Sequence, residues 1–400
     1  MPTIEATTGN DAIAEAMRQV NPDVVPVYPI TPQTAIVEAF SSMVSNGLVD
    51  THLINTESEH SAMSAAIGAT AAGARVMTAT ASQGLAFMWE MLHIASSLRL
   101  PVVMCNVNRT LSAPINIHCD YSDSMGARDS GWIQLYSENA QEAYDNMIQA
   151  VRIAENTEVL LPVMVLMDGF IISHSIERVQ FLDDSKVKEF VGSYNPSEFL
   201  LNSENPIAYG AFDSLHGYYF EFKRAQQQAM LNAYQVIEDV GNDFAAISDR
   251  SYSLFEEYKM EDADVALVAM GSAAGTMKET VDSFRSRGVK LGLLKIRVFR
   301  PFPVKELVRA LSKVKTVGVF DRSHTFAGEL GGQTYVELCS AFYNYQDRPL
   351  LKNYIYGLGG RDLNLDLLEK AVNGLMNESE SSVNNCNVSY LGLRDKEAIT

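Results

Sequence analysis

Two hydrophobic periods alternate through the first half of the chain. Short apolar runs at 24–28, 51–55, 75–80, 101–107 and 162–167 have the length and composition of strands. Stretches of helical spacing separate them. In 33–45, Ile36, Val37, Phe40 and Met43 share one face and Asn46-Gly47 supplies the stop; 58–72, 84–97 and 142–153 follow. The 58–72 stretch carries Ala62, Ala65, Ala66, Gly68, Ala69, Ala71 and Ala72, so its backbone can come close to a neighbouring element or a ligand. Strands alternating with helices of this length predict an α/β fold with a doubly wound parallel sheet, which presents its ligands at the carboxyl ends of the strands.

The pattern lapses between about 183 and 257. Turn formers cluster at 183–185, 194–196 and 202–206, and Tyr209, Phe212, Tyr218, Tyr219, Phe220 and Phe222 precede a helix at 224–240. That aromatic content predicts a structured arm that packs on something, not disorder. A second α/β unit opens at Asp264, with strands at 265–270, 289–298 and 316–320 and helices at 272–286, 304–311 and 333–343. A proline-bearing turn at 299–303 and a glycine-rich loop at 328–332 punctuate it. Beyond 377 the periodicity fades into a Ser- and Asn-rich tail or partner-wrapping arm. The chain therefore divides into 1–257, with its arm from about 183, then 258–376, then 377–400, as its length of 400 residues also suggests.

Composition narrows the function classes. The formal net charge of -18 repels phosphate backbones, so nucleic acid is an unsuitable partner, and any anionic substrate needs a local cation. No apolar run reaches membrane-span length, and no secretory leader opens the chain, which points to the cytoplasm. Cys105, Cys119, Cys339 and Cys386 stand apart, without the spacing of a zinc or iron–sulfur site. Any electrons this protein handles must travel on another chain. His118, Cys119, Asp120 and Asp123 are close in sequence but match no standard metal spacing, so no metal is assigned. Residues 271–278 lack the Gly-Lys-Ser/Thr ending of a P-loop.

Four segments carry a family resemblance. They are Tyr28-Pro29-Ile30-Thr31-Pro32, Glu57-Ser58-Glu59-His60, Thr80-Ala81-Ser82-Gln83-Gly84-Leu85, and the run from Asn108 to Asp123; Met167-Asp168-Gly169-Phe170 with Ser173-His174 supports them. In this order they resemble the alpha chain of the 2-oxoacid:ferredoxin oxidoreductases. The Asn108 to Asp123 run is similar to the pyruvate branch and lacks the Gly-Gly-Pro-Ser-Thr-Gly of the 2-oxoglutarate branch. The second unit resembles the transketolase C-terminal domain, best at Arg297-Val298-Phe299-Arg300-Pro301-Phe302-Pro303. The resemblance implies two doubly wound domains, the first of the kind that binds the pyrimidine of thiamine diphosphate. It further implies oxidative decarboxylation of pyruvate, or the reverse synthesis, with the acyl group on coenzyme A and electrons passed to ferredoxin. Thiamine diphosphate would be shared with a beta chain that holds magnesium. Gamma and delta chains would complete the enzyme, and the 4Fe–4S clusters would sit on partner chains.

The chemistry assigns roles. Thiamine activation needs a fixed carboxylate on the aminopyrimidine ring. Glu59 matches the family position, while an acid in a helix's first turn also suits the helix dipole, and Glu57 is an equal candidate on sequence alone. Arg109, just past the 101–107 strand, and Thr31 match the family's substrate-binding positions; a guanidinium pairs with a carboxylate through two bonds. The same residues could serve as a surface salt bridge and a turn-closing hydroxyl. Ser82, Gln83 and Gly84 form a tight turn whose amides could face the cofactor or merely close the turn. Asp168 and His174 are placed at the interface with the cofactor chain. The rival readings are a subunit for another 2-oxoacid, a lipoamide-linked oxoacid dehydrogenase chain, and a non-catalytic scaffold.

Overall fold

The computed structural model describes residues 3–210, 212–378 and 388–394. The first half runs β1 (Thr3–Thr8), α1 (Gly9–Val20), β2 (Val24–Val27), α2 (Thr34–Ser45), β3 (His52–Asn55), α3 (Glu59–Ala71) and β4 (Met77–Thr80). It continues through α4 (Ser82–Phe87), α5 (Trp89–Ser97), β5 (Val103–Asn108), α6 (Ser122–Gly126), β6 (Ile133–Tyr136), α7 (Ala140–Glu155) and β7 (Val163–Asp168). Then come β8 (Ile176–Phe181), α8 (Asp184–Val191) and the long α9 (Tyr219–Ser248). The second half comprises β9 (Phe255–Tyr258), β10 (Val265–Ala269), α10 (Ala273–Ser286), β11 (Leu291–Ile296), β12 (Val298–Arg300) and α11 (Val304–Leu311). It ends with β13 (Thr316–Asp321), α12 (Gln333–Phe342), β14 (Leu350–Ile355), α13 (Leu365–Glu378) and β15 (Ser389–Tyr390).

Local sequence explains these boundaries. Thr8 caps α1 by accepting from the Asp11 amide, and Asn21 ends it in a left-handed conformation. Ser58 caps α3 and Asn139 caps α7 in the same way. The strands β4 to β7 are buried on both faces, so they read as apolar runs without alternation.

The first sheet has the order β12-β6-β7-β5-β4, and the parallel pair β2-β3 extends it through a bridge between Val24 and Val76. The second sheet has the order β15-β14-β13-β10-β11-β9. Both are doubly wound and mainly parallel, as the alternation of periods predicts. Antiparallel strands close an edge of each, β12 on the first and β9 on the second. A buried cluster including Leu92, Tyr121, Trp132, Tyr136, Phe299 and Leu307 runs between the two sheets and makes them one body.

Three differences from the sequence pattern have physical causes. The expected strand at 289–298 is two strands: β11 stays in the second sheet and β12 joins β6 of the first. Arg297 sits at the crossing, buried, donating to Asn146 at 2.8 Å, Gln149 at 3.0 Å and the Ser253 carbonyl at 3.2 Å. The helix expected at 84–97 breaks at Met88 into α4 and α5. The helix expected at 224–240 is longer, because Ala229, Ala233, Val236, Ile237, Val240 and Phe244 form a continuous buried stripe. Residues 388–394 of the expected tail hold β15, which pairs with β14; Cys386 and most of 377–400 lie outside the described residues. Among the described residues, no helix is long and apolar enough to cross a membrane.

Candidate active site

The carboxyl ends of β2, β4, β5 and β7 meet at one place, and the sequence-derived residues gather there. Ser58 places Glu59 at the first position of α3 by accepting the Ser61 amide at 3.2 Å. Glu59 is only 8% exposed, yet its carboxylate takes no hydrogen bond or ion pair among the described residues. Glu57, the alternative, is exposed, and the Ser61 hydroxyl that donates to it holds it below the usual carboxylate range. Burial therefore separates two acids that the sequence leaves equivalent.

Gly84 faces Glu59 from α4. A Cβ built on Gly84 would lie 2.8 Å from Glu59 Oε1 and 2.5 Å from Thr80 Oγ1, so only glycine leaves the carboxylate in place. The Thr80 hydroxyl is itself buried and has no partner among the described residues. The turn is tight: Ser82 has φ of 48°, and its hydroxyl donates to the Thr110 carbonyl. Its amide donates to Asp123 at 3.0 Å, and the Gly84 amide to the Ala81 carbonyl at 2.9 Å. Two of the three amides that could have faced a cofactor are thus taken within the chain. What the turn offers at Gly84 is space.

Arg109 follows β5 and is 7% exposed. Its Nη1 donates to the Thr31 carbonyl at 2.8 Å and its Nε to the Asn116 carbonyl at 3.4 Å. No carboxylate pairs with it among the described residues, so it is not a surface salt bridge. Burial pulls the guanidinium below its ordinary range, with Asp123 opposing. The fold brings Thr31 and Arg109 together through a backbone carbonyl, leaving the exposed Thr31 hydroxyl for other partners. A guanidinium held by neutral carbonyls in an acidic chain is suited to an anion.

Asp123 was legible only as one of several apparent metal candidates. It is buried and accepts from Ser82, Asn106, Asn108, Arg109 and Ser124, and burial pushes its carboxyl up to about 6 against the pull of those bonds. Asn106 and Asn108, two residues apart on an otherwise apolar strand, are the sequence signal for such a partner. Cys119 is buried, with its thiol pushed well up by burial.

Asp168 is engaged within the chain. Nearly fully buried at the end of β7, it takes Arg322 Nη1 at 2.8 Å and both the amide and hydroxyl of Ser272. It thereby fills the crevice at the carboxyl ends of β10 and β13, where a doubly wound sheet would bind a ligand. His174 is exposed and stacks on Phe170 at 4.7 Å.

Comparison with known proteins identifies the family. The family model for pyruvate flavodoxin/ferredoxin oxidoreductase, thiamine diphosphate-binding, matches residues 15–242, and that for pyruvate:ferredoxin oxidoreductase core domain II matches 263–368. This chain belongs to the pyruvate:ferredoxin oxidoreductase family. It is 51% identical to the pyruvate synthase subunit PorA of Thermotoga maritima, over 98% of both chains. The PorA of Methanocaldococcus jannaschii is 45% identical over 96% of this chain and 97% of its own. The ketoisovalerate oxidoreductase subunit VorA of Pyrococcus abyssi is also 45% identical, over 90% of each. A solved 2-oxoglutarate:ferredoxin oxidoreductase from Magnetococcus marinus, with 2-oxoglutarate, coenzyme A and succinyl-CoA bound, shares the fold at TM-score 0.71 and 20% identity. The match covers 94% of this chain and 65% of that one. A split-gene transketolase, at TM-score 0.52 and 12% identity, covers 92% of this chain and 93% of its own.

The family implies thiamine diphosphate, and the residues fit it. Glu59 is a buried carboxylate with no partner of its own, beside a glycine that keeps the adjoining space open.

Proposed function

We propose that this chain is the alpha subunit of a thiamine-diphosphate-dependent pyruvate:ferredoxin oxidoreductase, in which Glu59 activates the cofactor and Arg109 with Thr31 binds the substrate carboxylate. The observation that carries the reading is the buried Glu59 carboxylate against Gly84, unpartnered among the described residues, together with a buried arginine free of any acidic partner among them. When bound, thiamine diphosphate would supply the carbon nucleophile for the oxoacid. Glu59 holds the proton at the pyrimidine side of the site, and Ser82, Gln83 and Gly84 shape that side. Arg109 Nη1 rests on the Thr31 carbonyl and Nε on the Asn116 carbonyl, so the guanidinium is held in place with Nη2 left to donate to a carboxylate.

The rest of the enzyme lies on other chains: a beta subunit for the diphosphate and magnesium, and gamma and delta subunits with iron–sulfur clusters that pass electrons to ferredoxin in the cytoplasm. Coenzyme A takes the acyl group. Residues 1–257 and 258–376 form its two domains, supported by the two family matches. A second reading, a branched 2-oxoacid as substrate, is supported by the ketoisovalerate relative. The ratio of kcat/KM for pyruvate and ketoisovalerate in the complete complex decides between them.

The test is Glu59→Gln in the assembled complex. Turnover should fall by about a hundred-fold or more, the scale of a lost acid–base group. Thiamine diphosphate binding, measured by calorimetric titration, should change much less. Near-normal turnover in this variant would remove Glu59 from the role.

A further inference from the structure

The ends of β4 and β5 carry the two halves of the site, the Ser82 turn beside Glu59 and the backbone of Arg109. The parallel pairing of β4 and β5 runs from Met77 opposite Val103 to Thr80 opposite Asn106 and stops short of the turn. Past that point the Ser82 hydroxyl donates to the Thr110 carbonyl, and one carboxylate oxygen joins the Ser82 turn to the backbone of Arg109 itself. Asp123 Oδ2 accepts the Ser82 amide at 3.0 Å, the Arg109 amide at 3.1 Å and Asn106 Nδ2 at 3.1 Å. Its Oδ1 accepts Asn108 Nδ2 at 2.8 Å and the Ser124 amide at 2.7 Å. Five donors on one buried carboxylate make it an all-acceptor hub, a part that no neutral side chain can fill.

We propose that Asp123 is a positioning residue that locks the cofactor-side turn to the substrate arginine, so that pyruvate affinity depends on it through Arg109. The inference rests on Arg109 binding the substrate carboxylate. Each part of the geometry bears on this. The Arg109 amide is held by Asp123, while its guanidinium is held by Thr31 and Asn116, so both ends of the residue are fixed. Releasing the amide lets the Cα shift and spoils the alignment of the guanidinium, although every group that touches substrate is still present. The Ser82 amide shares the same oxygen, so the shift is felt by the turn that carries Gly84 against Glu59. An asparagine at this position cannot reproduce the hub. Its amide nitrogen must face either the three donors on one side or the two on the other, placing donor against donor.

The experiment is a double-mutant cycle in the assembled complex, with Asp123→Asn, Arg109→Ala and the pair. Arg109→Ala alone is expected to raise KM for pyruvate by about ten- to a hundred-fold, and Asp123→Asn alone by about ten-fold, the scale of one charge-assisted hydrogen bond misaligned. In the Arg109→Ala background, Asp123→Asn should leave KM nearly unchanged, because its effect runs through the missing guanidinium. Equal increases in both backgrounds would overturn the proposal and leave Asp123 a structural residue only. If Arg109→Ala itself leaves KM unaltered, it is the substrate-binding role of Arg109 that fails, a separate result. Should Asp123→Asn fail to assemble, Asn106→Ala removes one donor from the same oxygen and carries the same cycle. Its expected rise in KM is about two- to three-fold, again vanishing without Arg109. A rise that persists there counts against the proposal.

Discussion

At the scale of single residues, the site depends on what is absent as much as on what is present. Gly84 has no side chain where one would strike Glu59 and Thr80. Gly84→Ala should therefore fold, since its backbone angles are open to alanine, while the displaced Glu59 costs turnover about a hundred-fold, the scale of an ångström-sized misplacement. Steady-state turnover beside a melting curve checks this; unaltered turnover would mean that Glu59 does not rest where Gly84 holds it. Arg109 makes the complementary case. Its replacement by lysine should restore only part of the affinity lost in Arg109→Ala, because an ammonium cannot make two parallel bonds to a carboxylate. Calorimetry of thiamine diphosphate on the same variants should find its affinity nearly unchanged. A parallel loss of cofactor and substrate binding would place Arg109 on the cofactor side.

At the scale of elements, the chain crossing between β11 and β12 decides how the two sheets are joined. The buried Arg297 guanidinium satisfies Asn146 and Gln149 of α7 and the carbonyl of Ser253 while β12 adds to the first sheet. Arg297→Met keeps much of the volume but strands two buried amides, so about 2–4 kcal/mol of stability should be lost. A urea titration followed by tryptophan fluorescence reads the loss, because Trp132 is buried in the cluster between the sheets. A change below about 1 kcal/mol would mean that those amides find other partners. The helices make a related point. The stripe of small residues in α3 permits a close approach, but only the packing of α4 against it determines that Gly84 is what approaches Glu59.

At the scale of the whole molecule, Asp168 and Arg322 tie the first sheet's site to the second sheet. The pair is almost fully buried, at 2.8 Å, and the amide of Gly169, the next residue, donates to the carbonyl of Asn108 beside the site at 3.0 Å. Asp168→Asn leaves a buried guanidinium without its charge partner and should cost about 3–5 kcal/mol. Replacing both residues by apolar ones of similar size should cost less than either single change, because the penalty lies in the unpaired charge. Thermal unfolding of the three variants tests the order. A double variant that loses the full sum of the two would mean the pair is not coupled.

Much of this was written in the sequence and some was not. The alternation of strand and helix periods determined two doubly wound sheets, since burial on both faces imposes apolar runs and one-sided burial imposes the helical stripe. The motif residues Thr31, Glu59, Ser82, Gly84 and Arg109 were located by their match to the family's motifs, and the strand ends and helix starts on which they fall are local features of the sequence. The family match favoured Glu59 over Glu57, but only the tertiary structure showed that packing against α4 buries Glu59 and leaves Glu57, two residues away, in solvent. The tertiary structure also revealed Asp123 as a hydrogen-bonding hub and Asp168 as an internal latch between the two sheets. The deciding partner lies well along the chain in each case: Gly84 for Glu59, Ser82 for Asp123 and Arg322 for Asp168. A charged side chain announces its need for a partner wherever it stands, but which partner it finds is settled only when distant strand ends are brought to one edge.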